Sequence, residues 1–219
     1  MKTENKVLMQ MARESLAGKW GLAIGGFVVY CLVVGIAEAI PKVGGLASIF
    51  IVGPMAGGLA IFALSLSRKQ EAKVEQIFQG FNRFAVYLGA YWLMILYIVL
   101  WSLLLIIPGI IAAYGYSMVF FILADDSSIG ISEALQKSKT MMMGHKWKYF
   151  CLGWRFFGWT LLCFLSLGIG FLWLFPYIQI SGAKFYEDLK GEEEAAAQTT
   201  ELEKIAAEVV EVAGNENLI

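Results

Sequence analysis

The chain has 219 residues, of which 58% are hydrophobic and 16% are charged, and its mean hydropathy is +0.66. A soluble domain of this length cannot bury so much apolar surface, so the composition excludes an ordinary soluble protein and predicts an integral membrane protein. The formal net charge is −1, but basic residues predominate in residues 1–189 and acidic residues in residues 190–219. We therefore predict a membrane domain over 1–189 and an acidic cytoplasmic tail over 190–219.

Six apolar segments predict an all-α membrane fold. Residues 84–124 and 156–183 contain no charged residue, and runs of about 18 or more such residues are typical of membrane spans. The fourth segment is short, and the sixth contains Pro176 and Lys184, so re-entry into the membrane is the alternative to a full crossing for both. The predicted spans are residues 21–40, 44–66, 84–107, 108–124, 149–168 and 170–186.

Glycine and proline separate the two spans of each predicted pair. The three joints are residues 41–45, Pro108 with Gly109, and residues 168–170. Because glycine and proline end helices locally, we expect three tight helical hairpins.

A short amphipathic segment precedes each predicted hairpin. Basic-aromatic pairs at Lys19, Arg83 and Lys148 recur at intervals of 64 and 65 residues, which predicts three tandem repeats of about 64 residues. We expect the amphipathic helices to lie in the inner membrane interface, with cytosolic connector helices as the alternative. Their predicted apolar faces are Val7, Leu8, Met11 and Ser15; Val74, Ile77, Phe78 and Phe81; and Ala134, Leu135, Ser138, Met141 and Met142.

The distribution of lysine and arginine predicts the orientation. These residues accumulate on the cytoplasmic side of short loops in membrane proteins. With six spans, Lys42 is the one basic residue on the outer side, provided that Arg155 lies near the inner end of the fifth span. We therefore predict a multi-pass protein of the plasma membrane with both termini in the cytoplasm.

Several short motifs, in a fixed order, carry a resemblance to a known family. They are residues 12–16 (ARESL), 53–54 (GP), 101–109 (WSLLLIIPG), 116–118 (YSM), 122–125 (ILAD), 144–147 (GHKW), 176–177 (PY) and 185–189 (FYEDL). Over residues 10–189 the chain resembles the bacterial integral membrane family named domain of unknown function 975. The resemblance implies location and topology, and it implies no biochemical activity. The acidic tail lies outside it.

The residue types that catalysis and metal binding require do not converge in the sequence. The single histidine, His145, follows three methionines, so a soft-metal contact is the alternative to packing at the interface. Zinc-protease motifs, phosphate-binding loops and paired mid-span aspartates are missing from the sequence. We expect no catalytic residue, metal or cofactor, and no nucleic-acid partner, because lipid headgroups explain the basic residues beside apolar spans. The cysteines Cys31, Cys151 and Cys163 are predicted to be buried free thiols, with Cys31 and Cys163 in the middle of spans.

Arg155 is the most unusual charged residue, because charges inside a membrane are costly and often functional. It lies seven residues past Lys148, which is roughly 10 Å along a helix. Three explanations of a charge at this position are contact with inner lipid headgroups, an ion pair near the same boundary, and a role in a functional site. We expect a pair with Asp125 or Asp126, residues that otherwise suit turns and caps.

Small residues and prolines in the spans have two interpretations. Gly53 and Gly57, like Gly21 and Gly25, are four residues apart, which is typical of close helix packing. Helix breaks at Gly53 with Pro54 and at Pro176 would instead support a transport pathway. The polar residues that would line it are Tyr114, Tyr116, Ser117 and Gln179.

Three functions follow from these observations. The favoured one is a non-catalytic membrane module, an accessory or scaffolding protein that acts through the lipid bilayer or a protein partner. The alternative is a small-solute transporter or channel, and the minor alternative is an enzyme that acts on lipids. In the tail, an apolar stripe predicts either a helix for a protein partner or a partly disordered segment; it comprises Leu202, Ile205, Val209 and Val212. The sequence names no substrate and no oligomeric state.

Overall fold

A computed structural model describes the backbone of residues 3–40 and 44–216 and the side chains of residues 3–40 and 48–206. All regular secondary structure in these residues is helical, as predicted. The predicted joint around Lys42 and the apolar tail residues Val209 and Val212 lie outside the described side chains. The elements are α1 (Asn5–Leu16), α2 (Trp20–Ala39), α3 (Gly44–Ser67), a 3₁₀ helix (Val74–Arg83), α4 (Phe84–Leu104), α5 (Ile106–Gly115), α6 (Val119–Asp125), α7 (Ile131–Met141), α8 (Lys146–Leu165) and α9 (Phe171–Glu216).

Among the residues that the structure describes, four segments are long and apolar enough to cross a membrane. They are Trp20–Ala39, Ser48–Ser67, Val74–Leu104 and Ile106–Asp125, and they correspond to the first four predicted spans. The fifth and sixth predicted spans correspond to α8 and to the first part of α9. Neither is among the four segments above. Helix α8 is less hydrophobic on average than α2, because it contains Lys148 and Arg155, and Lys184 and Glu187 lie in the first part of α9.

Helix α3 is the central helix of the bundle. About 67% of its membrane-length window is buried, against 17% for α2, and it packs on α1, α2, α4, α6, α9 and the 3₁₀ helix. Small residues make this burial geometrically feasible, because they let neighbouring backbones approach α3 closely.

The closest of these approaches is between α3 and the 3₁₀ helix. A Cβ atom added at Gly58 would lie 1.7 Å from the carbonyl oxygen of Ile77, and one added at Gly80 would lie 1.9 Å from that of Pro54. One added at Gly57 would lie 2.3 Å from the ring of Tyr87. Glycine is therefore required where the 3₁₀ helix and α4 cross α3.

Close helix packing is absent at Gly21 and Gly25, the predicted glycine pair in α2. A Cβ atom at Gly21 or Gly25 would meet nothing within 4 Å, whereas one at Gly26 would lie 2.9 Å from the ring of Phe62. The prediction for Gly21 and Gly25 was therefore wrong, because the face of α2 that packs on α3 contains Gly26. Near the α4 side of α3, a Cβ atom at Gly53 would lie 3.0 Å from the carbonyl oxygen of Tyr87.

The helices containing the two prolines are continuous. Pro54 lies inside α3 and Pro176 inside α9, and both residues are buried. The predicted helix breaks at these positions were wrong. Proline removes one intrahelical hydrogen bond, and the surrounding packing keeps both helices intact.

The turn between α4 and α5 lies at Leu105, which has φ −161° and ψ 143°, and not at Pro108 and Gly109 as predicted. Pro108 occupies the first turn of α5, where a missing N–H has no intrahelical partner to lose. A Cβ atom at Gly109 would lie 1.9 Å from Oγ of Ser102. Gly109 is thus a contact point between α4 and α5.

The fourth predicted span is interrupted between α5 and α6. The backbone groups freed by this interruption are bonded by a side chain from α7: Oγ of Ser138 donates to the carbonyl of Gly115 at 2.8 Å and accepts from the N–H of Met118 at 3.3 Å. Buried backbone groups need such partners. Ser138 is itself fully buried.

The amphipathic segments differ in how well their predicted faces match the buried ones. In α7 the whole predicted face is buried, whereas in α1 Leu8 and Ser15 are buried but Val7 and Met11 are exposed. The second segment is a 3₁₀ helix, in which residues three apart share a face. Ile77 is therefore buried with Gly80.

The three cysteines are unpaired. Cys163 is buried as predicted, Cys151 is half-buried, and Cys31 is exposed on the surface of α2. The prediction of a buried Cys31 was wrong, because α2 turns only one narrow face toward the rest of the bundle.

Candidate functional site

An ion-paired group of side chains joins the ends of α3 and α6 to the middle of α9, three helices that are distant in sequence. Oδ1 of Asp125, at the end of α6, lies 2.6 Å from Nη2 of Arg68, which follows α3. Its Oδ2 lies 2.6 Å from Nζ of Lys190 in α9 and accepts a hydrogen bond of 3.1 Å from Oη of Tyr186. The Asp125 side chain is 8% exposed, so these partners replace the water that a carboxylate requires.

The same group extends along α9. Nε of Arg68 donates to Oε1 of Glu187 at 3.2 Å, and Nζ of Lys184 donates to its Oε2 at 2.8 Å. Burial lowers the pKa of Arg68, but hydrogen bonds to Asp125 and Glu187 outweigh that effect and raise it above its ordinary value. Arg68 therefore stays charged. We call Arg68, Asp125, Lys184, Tyr186, Glu187 and Lys190 the ionic cluster.

The amino-terminal arm is held beside this cluster. Oγ1 of Thr3 donates to Oδ1 of Asp188 at 2.5 Å, and Nδ2 of Asn5 donates to the carbonyl of Lys148 at 2.8 Å. Nζ of Lys148 in turn donates to the carbonyl of Thr3. These bonds tie the start of α1 to both α8 and α9.

His145 precedes α8 and lies near the same end of the bundle. Its Nε2 atom is 3.5 Å from Oε2 of Glu192 in α9. Of the neighbouring methionines, Met141 and Met142 are buried in the core and Met143 is 66% exposed. Met143 is therefore in a different environment from the other two methionines. Among the described residues, no group of three His, Cys, Asp or Glu side chains is arranged to hold a metal.

Arg155 does not pair with either predicted aspartate. Asp125 is engaged by Arg68 and Lys190, and the exposed Asp126 accepts hydrogen bonds from the backbone and hydroxyl of Ser128 at 2.8 and 2.6 Å. The predicted pairing was wrong because α8 packs on α1, α5 and α9, away from the end of α6. Arg155 instead lines a groove together with residues of α1, α8 and α9.

That groove runs between α1 and α2 on one side and α8 and α9 on the other. Two adjoining cavities, of about 690 and 440 Å³, share the lining residues Arg13, Trp159 and Tyr177. The larger is lined further by Lys6, Met9, Gln10, Glu14 and Arg155, and the smaller by Trp20, Leu162, Cys163, Ser166, Gly170, Trp173 and Leu174. We call the two cavities together the basic groove.

The residues predicted to line a transport pathway are separated from one another. Tyr114 lines a cavity with Phe150, and Tyr116 lines another with Lys146. Gln179 faces a small apolar cavity beside α2. The hydroxyl of Ser117 donates to the carbonyl of Tyr114.

Sequence reasoning identified Asp125 but missed its partners Arg68 and Lys190. Both residues lie near the predicted inner boundary, as does every basic residue of the loops there, so position alone did not single them out. It also missed the basic groove, although the four-residue interval between Arg155 and Trp159 places the two on one helical face.

Comparison with protein families identifies the chain's relatives. The model of the family described as protein of unknown function (DUF975) matches residues 1–109 and 102–193. The predicted resemblance is therefore confirmed, and the matched region ends just after the start of the acidic tail. No curated protein and no solved structure matches the chain.

Proposed function

We propose that this chain, which belongs to the DUF975 family of proteins of unknown function, is a non-catalytic module of the plasma membrane. It crosses the bilayer six times as three helical hairpins, with both termini in the cytoplasm. It acts as an accessory or scaffolding protein through contacts with lipids or protein partners.

The observation that carries this proposal is the ionic cluster. Arg68 follows α3, Asp125 ends α6 and Lys190 lies within α9, and the side chains of Arg68 and Lys190 each lie 2.6 Å from the carboxylate of Asp125. Asp125, the best-buried carboxylate of the cluster, therefore connects the three proposed hairpins. Such use fits a module whose polar interior groups hold its helices together.

Correspondence between α1 and α7 supports the repeat. Leu8, Ala12, Ser15 and Leu16 are buried in the first, and Ala134, Ser138, Met141 and Met142 in the second, at the same intervals. Gly18 and Gly144 then have φ values of +76° and +81°, and glycine adopts such values without strain. Each is followed by one residue and then by a long helix.

The acidic tail supports a protein contact. Helix α9 continues without interruption from the bundle to Glu216, and Leu202 and Ile205 are 67% and 52% exposed on it. They lie three residues apart and hence on one face of the helix. We propose that this face binds a protein partner with a basic surface.

Cysteine labelling tests the module against a transporter. In a variant without native cysteines, Ser117→Cys and Gln179→Cys should resist a water-soluble maleimide, because the proposed module has no water-filled pathway. Lys204→Cys, on the exposed tail, is the control that should react. Rapid labelling at both Ser117 and Gln179 would instead indicate a water-filled pathway and overturn the proposal.

A further inference from the structure

The two cavities of the basic groove share three lining residues, and one cavity is cationic while the other is apolar. At the cationic end, Lys6 and Arg13 on α1 face Arg155 on α8 across a cavity of about 690 Å³. At the apolar end, a cavity of about 440 Å³ is lined mainly by large apolar side chains, including Trp20, Trp173 and Leu174. Both volumes fall in the range of about 300–1,000 Å³ that is typical of ligand sites.

The cations of the groove outnumber its acidic residues. Within the part of the chain that the structure describes, Lys6, Arg13 and Arg155 form no ion pair, in contrast to Arg68 and Lys190. Glu14 is the acidic residue of the lining, and it accepts a hydrogen bond of 3.0 Å from Nε2 of Gln10. Three positive charges therefore face one negative charge.

Contacts between helices hold in place the elements that line the apolar cavity. Oη of Tyr177 donates to the carbonyl of Met9 at 3.1 Å, which holds α1 against α9. The rings of Phe27 and Phe175 stack at 4.3 Å between centroids and hold α2 against α9. Gly170 lies close to Cys163, where an added Cβ atom would lie 2.6 Å from the sulfur. The α8–α9 turn is thus tight, and the space opens between α2 and α8.

A ligand for this space needs an anionic head and an apolar tail. We propose that the basic groove binds one anionic glycerophospholipid, with its phosphate between Arg13 and Arg155 and an acyl chain beside Trp20, Trp159 and Trp173. Guanidinium groups pair with phosphate through paired hydrogen bonds. The site accounts for the depth of Arg155 in α8, because α1 brings its own basic residues to the same level. The inference deepens the proposed function by naming a lipid partner.

Native mass spectrometry of the delipidated full chain in detergent tests the site. Wild-type protein should retain phosphatidylglycerol about tenfold better than phosphatidylcholine, since basic groups favour anionic lipid. Arg13→Gln with Arg155→Gln should abolish this preference. Lys73→Gln with Lys137→Gln removes the same charge outside the groove and should leave the preference unchanged. Equal retention of the two lipids by wild type, or a preference that survives in the groove variant, would overturn the proposal.

The apolar end has its own matched pair of variants. Leu161 and Leu162 are both 57% exposed, but only Leu162 is among the residues that line the groove. Leu162→Trp should weaken phosphatidylglycerol binding and Leu161→Trp should not. Equal effects of the two substitutions would overturn the proposed acyl-chain site. In a competition experiment, displacement of the lipid by an equal concentration of glycerol 3-phosphate would overturn the lipid proposal and indicate that the cations bind a soluble phosphate compound.

These outcomes are separate from those that test the module itself. All variants should keep the wild-type melting temperature, because Arg13 and Arg155 are exposed and form no ion pair among the described residues. A lost preference in stable protein measures lipid binding alone. Failure of the lipid site would leave the cysteine labelling of Ser117 and Gln179 unchanged, whereas failure of the module would appear in that labelling.

Discussion

Arg68 and Asp125 lie at the ends of α3 and α6, and 2.6 Å separates Nη2 of the arginine from Oδ1 of the aspartate. The arginine also binds Glu187 of α9 through Nε, so one guanidinium connects three helices. Its planar group with several donors suits this role, which the single ammonium of lysine would not reproduce.

Neutralising the centre of the ionic cluster should destabilise the fold. Asp125→Asn leaves Lys190 and Arg68 close together without the carboxylate between them, at a cost of about 2 kcal/mol after allowance for the partial exposure of both cations. The melting temperature in detergent should fall by several degrees. Asp126→Asn is the control, since Asp126 is exposed and bonds only within its own turn. Equal melting temperatures for the two variants would argue against the cluster as a structural lock.

Arg155 and Arg68 should differ sharply when each is changed to leucine. Arg155→Leu should melt like wild type, because this side chain has no ion pair among the described residues. Arg68→Leu should melt at a lower temperature, because it removes contacts to Asp125 and Glu187. A large loss for Arg155→Leu that a neutral Asp126 rescues would restore the pairing predicted from sequence.

Glycine should be essential at Gly58 and dispensable at Gly25. Gly58→Ala pushes a methyl group into the carbonyl of Ile77 and should cost about 3 kcal/mol through displacement of the 3₁₀ helix. Gly25→Ala meets open space and should be neutral or slightly stabilising, since alanine favours helix. Melting curves of the two proteins decide the matter, and a tolerated Gly58→Ala would contradict the close α3 contact.

Removing the hydroxyl of Ser138 should lower the free energy of unfolding, because this hydroxyl bonds backbone groups at the interruption between α5 and α6. Ser138→Ala leaves the carbonyl of Gly115 and the N–H of Met118 without this partner, at about 1–3 kcal/mol. Thr140→Ala on the same helix is the control, because its hydroxyl bonds only to the carbonyl of Gln136 within α7. Indistinguishable unfolding of the two variants would contradict a structural role for Ser138.

Local composition predicted the apolar helices well. The predicted spans 21–40 and 44–66 agree closely with Trp20–Ala39 and Gly44–Ser67, because the length of an apolar run is a local property. The interruption before Val119 was not predictable in this way. Its backbone groups are bonded by Ser138, and nothing near residues 115–118 identifies that partner.

The ion-pair partners of Asp125 were likewise not predictable from the sequence. Arg68, Arg155 and Lys190 all lie near the predicted inner boundary, so sequence position could not rank them. The choice depends on which helices pack on α6: α3 packs on it, and α9 lies beside α3. Arg155 belongs to the groove for the complementary reason, since α8 packs on α1.

The most direct test of the six-span module concerns its third hairpin, because α8 and α9 are not among the described segments that are long and apolar enough to cross a membrane. Ile169, 61% exposed in the turn between them, should lie outside the cell. In a variant without native cysteines, Ile169→Cys should react with a membrane-impermeant maleimide added to intact cells, whereas Lys204→Cys should react only after the cells are opened. Protection of Ile169→Cys in intact cells and its labelling in opened ones would contradict the six-span account.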